Sequence, residues 1–113
     1  LIVDLGCGPG NISERLAIKW PNTEVVGIDG SKEMILRAEH NKKQSMNKKK
    51  LKNLRYICSN IKDIKSTKFL LKKEISLLVS NSLIHHITHL EDFFNTIRSL
   101  SSNITLNFHK DFL

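Results

Sequence analysis

Cysteine is almost missing from this 113-residue sequence. Cys7 and Cys58 are the only two, too few for the disulfide framework of a small secreted scaffold, and a reducing, cytoplasmic setting is the expectation. No apolar run approaches the roughly 20 residues that a membrane-spanning helix requires, so no membrane span or membrane partner is expected. No internal repeat and no Pro/Gly/Ser-rich linker divides the chain, and a single domain over residues 1–113 is expected. Aromatic residues are scarce at 6%. Trp20, Tyr56, Phe69, Phe93 and Phe94 stand at positions suited to a core rather than to a base-stacking surface. Hydrophobic residues (40%) and charged residues (26%) occur in the amounts usual for a globular protein, which excludes a disordered chain.

Acidic residues are outnumbered, 11 against 18 Lys and Arg, for a net charge of +7. Twelve of the cations fall between Lys42 and Lys73, where Asp63 is the single acid. A stretch so basic can attract phosphate-rich partners, and a nucleic-acid partner is one alternative it raises. A plainer source competes with it. Ile, Lys and Asn together make up 37 of the 113 residues, the bias of AT-rich coding sequence. No particular oligomeric state is indicated.

Hydrophobic patterning lays out alternating strands and helices. Leu1–Leu5 is a short apolar run ending at glycines, as a buried parallel strand does. Asn11 with Glu14 three residues later has the form of a capping box, Ile12, Leu16 and Trp20 repeat as one apolar stripe, and Pro21 stops the helix. Thr23–Ile28 reads as a second strand. Ser31 is a good N-cap for a helix from Lys32 to about Lys43, with Met34, Ile35 and Ala38 inward. The polar, basic stretch 42–53 reads as a loop, Leu54–Cys58 as a third strand, Phe69–Leu71 as a helical turn and Ile75–Val79 as a fourth strand. A second capping box, Thr88 to Glu91, precedes a helix carrying Phe93, Phe94, Ile97 and Leu100, and Asn103–Phe108 alternates as a fifth strand. Such alternation predicts an α/β fold, a doubly wound, mostly parallel sheet with helices on both faces. A chain opening inside a core strand and ending just after the fifth strand is expected to be a core truncated at both ends, with that strand left as an edge.

In a sheet of this kind ligands bind beyond the carboxyl ends of the strands, where the winding direction switches. The residues there are Asp4 and Gly6-Cys7-Gly8-Pro9-Gly10 after the first strand, Asp29 after the second, Asn60 and Asp63 after the third, and Ser80–His86 after the fourth. Alternating glycines let the backbone turn tightly and approach a ligand, a helix start aims free N–H groups at it, and a carboxylate after the second strand can accept from a ribose diol. Together they point to a nucleoside-containing cofactor. A dinucleotide fingerprint would place its third glycine where Asn11 stands, and a phosphate-binding P-loop would need Lys-Ser or Lys-Thr where Asn-Ile stands. Pro9 also removes an N–H that a pyrophosphate could use. A less anionic ligand fits better.

The run Asp4-Leu5-Gly6-Cys7-Gly8-Pro9-Gly10 resembles the first motif of the class I S-adenosylmethionine-dependent methyltransferases, Val26–Met34 resembles their second signature, and Ser80–Ile87 the segment after their fourth strand. The resemblance implies a Rossmann-like core and methyl transfer from S-adenosylmethionine. It implies that Gly6, Cys7, Gly8 and Gly10 lie under the methionine and ribose, with Asp4 helping to hold the amino group. By the same resemblance Asp29 takes the ribose hydroxyls, Gly30 and Met34 line the adenine, Asn60 and the Ile61 N–H meet its edge, and Ser80 and Asn81 sit near the sulfonium. Asn60 replaces the family's usual Asp, but its carbonyl can accept the same bond without charge. Ser80-Asn81-Ser82-Leu83 is not the Asn/Asp-Pro-Pro-Tyr type of motif, which leans toward a small-molecule acceptor. His86 is the candidate general base, because an imidazole can titrate near neutral pH. His85, His86 and His89 lack a further ligand at metal spacing, so no metal site is expected. Cys7 and Cys58 are read as small core residues. The alternative is a non-catalytic module of the same fold that binds RNA through Lys42–Lys73.

Overall fold

The computed structural model describes residues 1–45, 51–60, 75–80 and 106–108. Five strands, β1 (Ile2–Leu5), β2 (Val25–Asp29), β3 (Leu54–Cys58), β4 (Leu77–Ser80) and β5 (Leu106–Phe108), and two helices, α1 (Asn11–Lys19) and α2 (Lys32–Ser45), are defined. The strands form one sheet in the order β3-β2-β1-β4-β5, with every neighbouring pair parallel. From β1 the chain winds outward through β2 to β3, then returns to the other side of β1 for β4 and β5. This is the doubly wound α/β fold, and its switch point lies between the tips of β1 and β4.

The central strand is buried along its whole length, as its apolar run requires. Ile2, Val25, Leu51 and Leu54 form a core cluster with Ala17 of α1, and Leu16, Tyr56 and Leu77 pack against it. Register aligns Asp4 with Gly27 and with Val79, and Gly27 with Tyr56, so these four share one face of the sheet. Helices α1 and α2 pack on β2 and β3.

Several boundaries differ from those expected. β2 begins later and takes in Asp29, and β4 runs from Leu77 to Ser80, with Ser76 just ahead of it directing both its N–H and its hydroxyl to the Leu1 carbonyl (2.9 and 3.0 Å). α2 continues to Ser45, two residues past Lys43, and Lys42 within it donates its ammonium to the Leu54 carbonyl at 2.5 Å. The apolar stripe expected on α1 is buried only in part: Ile12 and Leu16 are half-buried, Leu16 against the core cluster, and the fully buried positions lie beside it. Ser13 and Ala17 are buried, whereas Trp20 is 38% exposed with the Lys19 ammonium 4.8 Å from its ring centre. Cys58 is exposed rather than in the core. The C-terminal end of α1 is closed by the Asn53 amide, which donates to the carbonyls of Ala17 (3.1 Å), Trp20 (3.1 Å) and Thr23 (2.8 Å). A cavity of about 330 Å³ lined by residues 21–24 and 52–55 lies at the amino end of the sheet, opposite the strand tips. Among the described residues no helix is long and apolar enough to cross a membrane. The helices expected at 69–71 and 88–100 lie outside the described residues.

Candidate functional site

The loop after β1 is built by backbone geometry that only glycine adopts freely. Gly6, Gly8 and Gly10 all take left-handed φ values, 67°, 56° and 89°. Gly6 and Cys7 both direct their N–H groups to the Ile28 carbonyl (2.7 and 3.0 Å), which folds the loop over the end of β2. The Gly10 N–H donates to the Cys7 carbonyl (3.1 Å), and the Gly10 carbonyl accepts the first bond of α1 from Glu14 (2.9 Å). Gly10 is therefore the N-cap, with no side-chain cap, and Asn11 is the first helical residue. This corrects the expected capping box. Three glycines carry the turn by conformation, and Asn11 is exposed. The first-turn N–H groups of α1 open toward the strand tips, where a helix start favours electron-rich groups.

Asp29 ties that loop to the next helix. Its Oδ2 accepts the Gly8 N–H (2.9 Å) and its Oδ1 accepts the Ser31 N–H (2.8 Å). A carboxylate has about four lone-pair sites, so one acceptor site on each oxygen is left. Ser31 caps α2, its hydroxyl accepting the Met34 N–H at 3.3 Å, as expected. Gly30 sits against the turn after β3. A Cβ there would lie 3.6 Å from the Asn60 Cα, and the Ser59 N–H donates to the Asp29 carbonyl at 3.0 Å. The structure thus brings Gly8, Asp29, Gly30, Met34 and Asn60 to one end of the sheet.

Asp4 is the buried member of the set, 1% exposed. Ser13 donates to its Oδ2 at 2.6 Å, and its Oδ1 has no partner among the described residues. Burial pushes its pKa up to about 6, the Ser13 bond pulls the other way, and the Asp29 charge adds to the rise. Burial, with Asp4 and Asp29 nearby, also pushes the Cys7 thiol far up, so Cys7 stays a neutral wall residue. Ser80 is buried with its hydroxyl unpartnered among the described residues, but its register with Leu5 puts it on the sheet face opposite Asp4. Ile61 and His86 lie outside the described residues. Ser13 and Tyr56, which contact Asp4 and Gly10, were not among the site residues expected from sequence. The signal that points to them is Gly27, because a glycine inside a strand marks a close approach by something else.

The profile of the methyltransferase domain family matches residues 1–106. The chain belongs to that family. Trans-aconitate 2-methyltransferase from Streptomyces avermitilis is 49% identical to this methyltransferase domain over 37 residues, 33% of the chain and 14% of that protein. The enzyme of the same name from Azoarcus sp. (strain BH72) is 56% identical over 34 residues, 30% of the chain and 13% of that protein. Among solved structures, the plantazolicin methyltransferase BpumL in complex with a triazolic desmethylPZN analog and SAH superposes with a TM-score of 0.71 at 24% identity. That match covers 95% of the domain and 38% of BpumL. The magnesium protoporphyrin IX methyltransferase from Synechocystis PCC 6803 with bound SAM gives 0.69 at 20% identity, over 96% of the domain and 47% of that chain. These likenesses establish the fold, and the chain spans less than half of each of these proteins, about one seventh of the trans-aconitate 2-methyltransferases.

Proposed function

We propose that this methyltransferase domain binds S-adenosylmethionine across the tips of β1, β2 and β3 and transfers its methyl group to a small-molecule acceptor. The observation that carries the reading is Asp29, held by Gly8 and Ser31 with one acceptor site free on each oxygen, beside a loop of three left-handed glycines. A vicinal ribose diol needs two adjacent acceptors of this kind. The space over the loop is consistent with a ligand there, because a Cβ at Gly8 would meet nothing within 4 Å. When bound, the cofactor supplies a methyl group made electrophilic by a positively charged sulfur.

The residues of the chain then have distinct tasks. Asp29 orients the ribose, Gly30 and Met34 line the adenine, and Asn60 with the Ile61 N–H reads the adenine edge. The backbone of Gly6, Cys7, Gly8 and Gly10 supports the amino-acid end, and Asp4 offers Oδ1 to its ammonium group. Ser80, at the tip of β4 beside the switch point, borders the reacting end, and His86 serves as general base for the acceptor. Methyl transfer asks little covalent help of a protein, and alignment of donor and acceptor provides most of the acceleration. Relatives named for trans-aconitate and magnesium protoporphyrin IX support a small organic acceptor. The RNA-binding alternative finds no comparable support. Within the basic stretch Lys42 is engaged by the Leu54 carbonyl and Arg55 by Glu24 at 2.7 Å.

Calorimetric titration with S-adenosylhomocysteine tests the reading. Binding is expected, with Asp29→Ala weakening it by about 30-fold or more through loss of two charge-assisted bonds. Absence of heat at millimolar ligand overturns it. His86→Ala is expected to lower turnover while leaving S-adenosylhomocysteine affinity in place, and unchanged turnover removes His86 from the mechanism.

A further inference from the structure

Gly27 lies in the interior of β2, where a glycine leaves a gap in the packing of a strand. Two side chains occupy that gap. A Cβ at Gly27 would fall 2.6 and 2.7 Å from Cδ1 and Cε1 of Tyr56 and 2.9 Å from Oγ of Ser13. Tyr56 is the register partner of Gly27 on β3, so its ring lies across β2 and points back toward the loop after β1. There its hydroxyl donates to the Gly10 carbonyl at 3.4 Å, the same carbonyl that starts the hydrogen bonding of α1. A Cβ at Gly10 would collide with Oη and Cζ of Tyr56 and lie 3.3 Å from the Ala38 Cβ of α2. The ring is therefore wedged between Gly27 beneath it and Gly10 at its tip. Burial raises the phenol pKa well above its ordinary value, so the hydroxyl remains a donor.

We propose that Tyr56 is a positioning residue for the cofactor loop, bracing Gly10 and the first turn of α1 from β3 and setting the height of the Gly6–Gly10 backbone under the amino-acid end of the ligand. The proposal rests on the S-adenosylmethionine reading above. Tyr56 acts through Gly10 and touches no ligand in this arrangement. β3 also leads directly into Asn60, so the strand that braces the amino-acid end carries the residue assigned to the adenine.

The test compares two ligands in the full chain. S-adenosylhomocysteine has the amino-acid end, and 5′-methylthioadenosine keeps the adenine, ribose and sulfur without it. Both are titrated calorimetrically into wild type, Tyr56→Phe and Tyr56→Leu, with thermal melts alongside. Tyr56→Leu is expected to lose about ten-fold in S-adenosylhomocysteine affinity and less than about two-fold for methylthioadenosine, because only the loop end is displaced. Tyr56→Phe keeps the ring over Gly27 and is expected to lose about two- to three-fold for S-adenosylhomocysteine alone, the share of one long neutral hydrogen bond. Equal losses for the two ligands, as a general structural weakening would give, overturn the positioning role, and so does a folded Tyr56→Leu with wild-type affinities. Should Tyr56→Leu fail to fold, Tyr56→Phe decides, and the absence of a selective loss in it overturns the proposal. A wild-type chain that binds neither ligand overturns the cofactor reading itself.

Discussion

Asp4 couples ligand binding at the strand tips to pH, and the size of the coupling follows from its burial. Its carboxyl titrates at about 6, raised chiefly by the loss of hydration, so a proton and a ligand ammonium compete for the same buried oxygens. If the ammonium group requires the ionised form, the apparent dissociation constant is multiplied by one plus ten to the power of pKa minus pH. With the pKa at about 6, the factor is about 1.1 at pH 7, about 2 at pH 6 and about 11 at pH 5. Binding weakens as the pH falls, because protonated Asp4 must first give up its proton. Asp29 is a second carboxylate whose charge acts on Asp4, and the Asp4→Asn profile separates the two. Ser13 does not titrate, and the Cys7 thiol and Tyr56 phenol are both pushed upward, away from the window. Calorimetry with S-adenosylhomocysteine in two buffers of different ionisation enthalpy reads the same event as proton release, about 0.9 proton per ligand at pH 5 and about 0.1 at pH 7. Asp4→Asn is expected to bind more weakly and without this pH dependence. An affinity constant from pH 5 to 7.5, or an unchanged pH profile in Asp4→Asn, refutes the assignment of Oδ1 to the ammonium group.

The same shift has the opposite sign for stability. The folded-state pKa of about 6 exceeds the ordinary 3.8, so the folded chain holds the proton longer and is destabilised as the pH rises from about 4 to 6. The total change over that range is about 3 kcal/mol at most, and chemical denaturation should show it absent in Asp4→Asn. Gly10→Ala combines a left-handed φ of 89° with a collision against Tyr56, and denaturant melts should register a loss of about 2 kcal/mol or more. Asn53→Ala removes three hydrogen bonds to carbonyls in and just after the last turn of α1, of which that of Trp20 keeps the Thr23 N–H, and is expected to cost about 1–3 kcal/mol in the same assay, with S-adenosylhomocysteine affinity unchanged because Asn53 lies at the amino end of the sheet.

Much of the architecture was legible because each element announces itself locally. β1 and β3 are apolar runs bounded by turn residues, Ser31 caps α2 as its side chain predicts, and the three glycines of the loop meet the one backbone requirement that other residues satisfy poorly. The place of Asp29 follows from the same logic, since a carboxylate after the second strand of such a sheet stands beside the loop after the first. Its bond to Gly8 is a tertiary contact that no local pattern reveals. The N-cap of α1 is Gly10 and not Asn11 for a related reason. A capping box and a glycine N-cap compete for adjacent positions, and the left-handed turn at Gly10 places Asn11 already inside the helix.

The buried face of α1 shows where hydrophobic patterning stops working. Ile12 and Leu16 are half-buried and Trp20 is exposed, while the fully buried residues of α1 are Ser13 and Ala17, because the helix lies close over the row that contains Asp4 and Gly27 and Ser13 shares the space above Gly27 with the Tyr56 ring. Ser13 and Asp4 conceal one another in the sequence. Neither reads as a core residue alone, since a buried hydroxyl or carboxyl is costly unless paired, and the pairing exists only once α1 is folded back over β1. Gly27 likewise advertises vacant space without naming its occupants, and the fold supplies Tyr56 and Ser13. These contacts are interdependent. A methyl group at Gly27 would press on both the ring that braces Gly10 and the hydroxyl that holds Asp4, so a single glycine at mid-strand governs the shape of the loop and the charge beneath it.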